Sequence, residues 1–113
     1  MWRLLVLGVA MIAVGCGRST DAWLEQIKDV DVVKRREAIR ELASRSTEAG
    51  RVVPALIAAL GDESVYVRRD AAIALGKFGP EASSAVPALL AIRTDRDGNI
   101  RKAAVESLKR IAP

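Results

Sequence analysis

Histidine is absent from this 113-residue chain, and cysteine occurs once, at Cys16. Without His no Ser-His-Asp or Cys-His pair can be assembled. No His or Cys cluster with metal-ligand spacing exists, and a lone Cys closes no intramolecular disulfide. Aromatics make up only 4%: Trp2, Trp23, Tyr66 and Phe78. So few rings leave little for stacking bases. No stretch competes as a β-strand, since short Val-rich pieces such as Val52-Val53 sit where helices begin.

What is present is aliphatic and charged. Half the residues are hydrophobic, carried by Ala, Leu, Val and Ile, a set suited to closely packed helices in one domain. The formal charge is +4, and +3 once a leader containing Arg3 is removed. Basic and acidic residues interleave rather than form blocks, so charge permits nucleic acid without indicating it.

Residues 1–15 read as a signal peptide: Arg3 supplies the charged start, and Leu4 to Val14 is an unbroken run of apolar residues and Gly. Eleven residues are too short to span a hydrocarbon core, which takes roughly 20. The run ends in Ala13-Val14-Gly15-Cys16, which resembles the lipobox of bacterial lipoproteins, with Ala13 where Leu is commonest. That resemblance implies lipidation of Cys16, whose thiol takes the diacylglyceryl group, followed by a short linker over 16–20. Gly17, rather than Asp, after the Cys implies export to the periplasmic side of the outer membrane where two membranes exist.

An offset of 33 residues organises the rest. Pro54 recurs as Pro87, and Ala22, Ala55 and Ala88 align. Asp29, Asp62 and Asp95 match, each followed six residues on by Arg35, Arg68 or Arg101. Ala38, Ala71 and Ala104, then Leu42, Leu75 and Leu108, complete the register. The units are 21–53, 54–86 and 87–113. In each, a first helix starts near Pro54 or Pro87, or at Asp21 acting as N-cap, and a polar turn leads to a second. Arg68, Ala71, Ala72 and Leu75 share one face of the middle second helix. Gly76 and Gly79 are expected to loosen and end it, with Pro80 forbidding continuation.

The stretch PALIAALGDESVYVRRDAAIALGKFG resembles a HEAT repeat of the short bacterial kind also found in phycobilin lyase-like proteins. The likeness covers about 90 of the 113 residues. It implies an all-α solenoid of about three helix-hairpin units. It also implies that Asp29, Asp62 and Asp95 bond across the stack to Arg35, Arg68 and Arg101 as a structural ladder. The first unit departs most, as an end-capping repeat should.

Opposite the buried columns of the second helices lie Glu37, Asp70 and Ala103; Arg40, Ile73 and Glu106; and Ser44, Lys77 and Arg110. In a HEAT solenoid this is the concave, partner-facing side. A flanking column, Arg36, Arg69 and Lys102, is uniformly basic and forms a candidate binding ridge, although such charge also simply solvates a helix. Asp95, Asp97 and Asn99 faintly resemble a calcium loop, but Ile100-Arg101-Lys102 follows where further ligands and a closing Glu are required.

The expectation is therefore an exported scaffold, lipid-anchored at Cys16, that binds another protein. It is expected to be no enzyme and to hold no cofactor or metal. Nucleic acid is disfavoured as a partner, and self-association through the C-terminal repeat face is expected. The alternatives are an accessory subunit or lyase-like, chromophore-handling HEAT protein, and a nucleic-acid-binding helical repeat.

Overall fold

The computed structural model describes residues 17–113, so the signal peptide over 1–15 and the lipidation of Cys16 lie outside the described residues. Among the described residues six α-helices follow in order: α1 (Thr20–Gln26), α2 (Val32–Ala43), α3 (Ala49–Ala59), α4 (Val65–Phe78), α5 (Val86–Ala91) and α6 (Gly98–Ile111). Short 3-10 segments span Ser46–Glu48, Gly79–Ala85 and Ile92–Thr94. Among the described residues there is no strand.

Each unit is a helix pair, α1 on α2, α3 on α4 and α5 on α6. The second helices also stack on one another, with α4 packed between α2 and α6. Burial follows the 33-residue register: Ala38, Ala71 and Ala104 are fully enclosed, as are Leu42 and Leu75. Small residues in the first of these columns let neighbouring helices approach, and the leucines fill the space between them. Trp23, Leu56 and Leu89 supply the matching apolar face of the first helices. The hydrophobic effect across these faces drives the stack, because none of the helix pairs could enclose its apolar side alone.

Helix starts are set by local chemistry, and here two expectations are corrected. The N-cap of α1 is Ser19, not Asp21; its hydroxyl accepts the Ala22 N–H at 3.2 Å. Asp21 sits one residue inside the helix and pairs with Arg51 instead. In the middle unit α3 begins at Ala49, so Pro54 falls inside the helix. The reason is burial: Val52 and Val53 are both enclosed, and a helical turn ahead of Pro54 is what turns them inward. Pro54 is the sixth residue of α3, so its missing N–H leaves the Gly50 carbonyl without its helical partner, and the ring faces solvent. In the third unit Ala82 and Ala85 fill the corresponding place as 3-10 turns, and α5 starts at Val86, beside Pro87.

Gly76 brings a third correction. It does not loosen α4, which runs on to Phe78. A Cβ at Gly76 would lie 2.7 Å from Ser107 Oγ, so its bare backbone is what lets α6 close on α4. Gly79 does end the helix, at φ 60°, where an L side chain is strained.

Candidate functional site

The two long sides of the second-helix layer differ in chemistry. On the turn side, every unit repeats the same device. The Asp carboxylate folds back to accept the N–H two residues on: Asp29 from Asp31 at 2.8 Å, Asp62 from Ser64 at 2.9 Å, Asp95 from Asp97 at 2.9 Å. The Arg six residues after each Asp donates to the carbonyls of its own turn. Arg35 reaches Asp29 and Val30, Arg68 reaches Asp62 and Glu63, and Arg101 reaches Asp95 and Arg96, all at 2.8–3.1 Å. The same guanidinium then crosses to the next unit. Arg35 Nε lies 3.0 Å from Asp62 Oδ2 while its Nη2 donates to Oδ1 at 3.2 Å, and Arg68 Nε donates to Asp95 Oδ2 at 3.0 Å.

Arg35 and Arg68 thus each close a turn and join two units, using charge-assisted bonds in a largely enclosed setting. Among the described residues Arg101 closes only its own turn and Asp29 receives no arginine from another unit, a correction to the expected three-rung ladder. The N–H of Asp97, with Arg68 beside it, holds the Asp95 carboxyl below the ordinary Asp value. Asp97 itself caps α6, accepting from Asn99 and Ile100. Both carboxylates of the calcium-like stretch are therefore engaged in turn and cap bonds.

The ridge residues are not equivalent in space. Arg36 is neutralised across the junction by Asp70, its Nε donating at 2.8 Å. Its guanidinium also lies 5.2 Å from the ring centre of Tyr66, and that of Arg69 lies 5.8 Å from it on the same ring. Tyr66 is 54% exposed and organises both arginines by cation–π attraction. Lys102 stands apart, exposed on α6. Tyr66 stands directly before the buried Val67, so on α4 it falls off the enclosed Ala71–Leu75 face, and that offset was the sequence signal that it projects outward.

The opposite side carries two neighbouring depressions. One, about 310 Å³, is lined by Ile73, Asn99, Lys102, Ala103, Glu106, Ser107 and Arg110. The other, about 190 Å³, is lined by Ile39, Arg40, Ala43, Asp70, Ile73, Ala74 and Lys77. Ile73 belongs to both and is 44% exposed, an apolar step between them. Arg40, Lys77, Lys102 and Arg110 ring the pair, while Asp70 is already committed to Arg36. The face thus offers an apolar anchor point within a rim on which four cations outnumber the exposed carboxylate of Glu106, suited to an apolar group that carries acidic substituents. The larger depression is near the lower end of the size typical for ligand pockets.

A family model described as HEAT repeats matches residues 20–109. The chain belongs to the HEAT-repeat family. No curated protein matches this HEAT-repeat chain. Among solved structures, a similar chain is found in the complex of CpcE and CpcF of phycocyanin lyase from Nostoc sp. PCC7120. The two share 31% sequence identity with a TM-score of 0.76 over 84% of this chain, which spans 38% of the length of that one.

This overturns the expectation that the chain is no enzyme. The similar HEAT chain belongs to a lyase, and to a complex of two proteins. Counting His and Cys within one chain tests only sites that a single chain builds alone, and a two-chain enzyme escapes that test. Pairing with another protein is, by contrast, what the similar structure displays.

Proposed function

We propose that this HEAT-repeat chain is a lyase-like accessory subunit that holds a pigment-bearing protein against the face formed by α2, α4 and α6. The observation that carries the reading is the likeness to the phycocyanin lyase chain, at 31% identity over 84% of this chain. The Ile73 step supports it physically, since an apolar group seated there lies within reach of Arg40, Lys77, Lys102 and Arg110, with Glu106 the exposed carboxylate on the same rim. The propionate carboxylates of an open-chain tetrapyrrole, or acidic side chains beside the pigment, meet that rim. The test is titration of the full chain with phycocyanin and, separately, with free bilin, followed by visible absorption and by sedimentation. The reading expects association with one of them that Ile73→Glu weakens at least about tenfold. No association with either, or association indifferent to Ile73→Glu, overturns it.

We further propose that Cys16 carries a lipid that tethers the stack to the cell envelope. The lipobox-like ending of the leader supports this, with the chain's single Cys at the end of its apolar run. Two acyl chains anchor stably where one is marginal. Labelling with radioactive palmitate, lost in Cys16→Ala, is the expected result; labelling unchanged by the substitution contradicts it.

A further inference from the structure

The two interior junctions of the second-helix layer can be compared position by position, because the 33-residue register carries one onto the other. At the α2–α4 junction Arg36 turns its Nε to Asp70 Oδ2 at 2.8 Å, and that carboxylate is largely enclosed. One period on, Arg36 becomes Arg69 and Asp70 becomes Ala103. The α4–α6 junction thus repeats the cation and lacks the carboxylate. Arg69 finds no substitute among the described residues. Its ion pair there is with its own neighbour Asp70, whose Oδ1 lies 4.0 Å from Arg69 Nε, beyond hydrogen-bond reach. Asp70 already serves Arg36 at short range.

The place of the missing carboxylate is open. Ala103 lines the depression of about 310 Å³ together with Ile73, Asn99 and Lys102. Ile73 stands one helical turn beyond Arg69, on the same face of α4. Asn99 holds the position that Tyr66 holds one unit earlier, so a short amide replaces the ring that lies beside Arg36. Lys102 is exposed on α6. Glu106, the carboxylate on this depression, has Lys109 3.6 Å away.

We propose that the notch over Ala103 is a carboxylate subsite, where the acid group of a bound molecule takes the place that Asp70 fills at the preceding junction. Arg69 receives that group as Arg36 receives Asp70, and Lys102 supplies a second cation. The rest of the molecule lies on Ile73. The ligand class is therefore an apolar body with a carboxylate on a short arm. A neutral amide of the same shape brings no charge to the two cations and forgoes the charge-assisted bond. The inference rests on the Ile73 face being the binding side and requires no pigment.

The test compares hydrocinnamate, an aromatic ring on a propionate arm, with hydrocinnamide. Binding of each to the full chain in mild detergent is followed by NMR shifts of the backbone amides over residues 99–103. The acid should bind about tenfold or more tighter than the amide. Ala103→Asp gives the junction its own carboxylate. That variant should exclude the acid and melt no lower than the unaltered protein, since Arg69 gains the partner that Arg36 has. Arg69→Gln, at a half-buried residue, should weaken the acid about tenfold and leave the amide unchanged. Absence of acid binding, equal affinity for acid and amide, or acid binding unchanged in both variants overturns the subsite. So does a lower melt of Ala103→Asp that adding Arg69→Gln leaves unchanged, because Arg69 then cannot reach a carboxylate in that place. A chain that takes hydrocinnamate as described but neither phycocyanin nor free bilin overturns the pigment reading alone. One that binds a bilin and its dimethyl ester equally overturns the subsite alone.

Discussion

The turn side and the depression side of the second-helix layer are made by the same three helices, yet they are used in opposite ways. On the turn side the unit repeats without change: Asp, then Arg six residues later, with guanidinium and carboxylate closing each junction. On the other side the equivalent positions differ from unit to unit, as Arg40, Ile73 and Glu106 do, and their groups stay open to solvent. Repetition can serve a junction because every junction poses the same problem. Recognition of one partner needs a particular arrangement, and only the variable side has one.

If that division holds, substitutions on the two sides should separate stability from binding. The largest loss of stability is expected for Arg68→Ala, which removes a tie to two turn carbonyls and leaves Asp95 without its cation. A loss of about 2–3 kcal/mol in urea denaturation follows from the charge-assisted bonds lost in a largely enclosed site. A loss below about 0.5 kcal/mol, the range of ordinary surface changes, would mean that the ladder is ornamental.

Gly76→Ala comes next. Its Cβ would press on Ser107 Oγ at 2.7 Å and on Ser107 Cβ at 3.1 Å, forcing α4 and α6 apart. About 1–2 kcal/mol of overpacking is expected, read from thermal melts. Ser107→Ala in the same chain should recover part of it, despite losing the Ser107 hydroxyl's bond to the Ala72 carbonyl. Losses that simply add would place the strain elsewhere.

A smaller, pH-linked effect belongs to Asp95. Its carboxyl is held below the ordinary Asp value by the Asp97 N–H and then by Arg68. A lowered folded pKa favours the native state above the unfolded value of about 3.9, and that gain is lost as pH falls through the lowered value. Asp95→Asn should therefore flatten the acid limb of the stability profile below about pH 4 while shifting it by less than about 1 kcal/mol at neutral pH. An unchanged acid limb would contradict the assignment.

Much of the turn side could be read from residue order, and much of the other side could not. The 33-residue offset locates Asp29, Arg35 and their counterparts because a ladder must repeat at the period of the stack. It does not show that Pro54 lies inside α3, since that outcome depends on the burial of Val52 and Val53. Gly76 looked like a helix breaker because its partner, Ser107, is 31 residues away and belongs to another helix. Arg36 likewise looked like a free cation until the fold brought Asp70 across the junction. Ile73 stood out as the one aliphatic residue in its column, but only the packing of α2 and α6 on either side makes it the wall between two depressions.

The most direct test of the division between a structural side and a binding side is one titration with phycocyanin, run on the unaltered chain and on Ile73→Glu, with a melt of each. The account expects the melts to agree within the equivalent of about 0.5 kcal/mol, because Ile73 is exposed. Association should be present in the first protein and reduced at least about tenfold in the second. Equal association by two equally stable proteins would contradict the account.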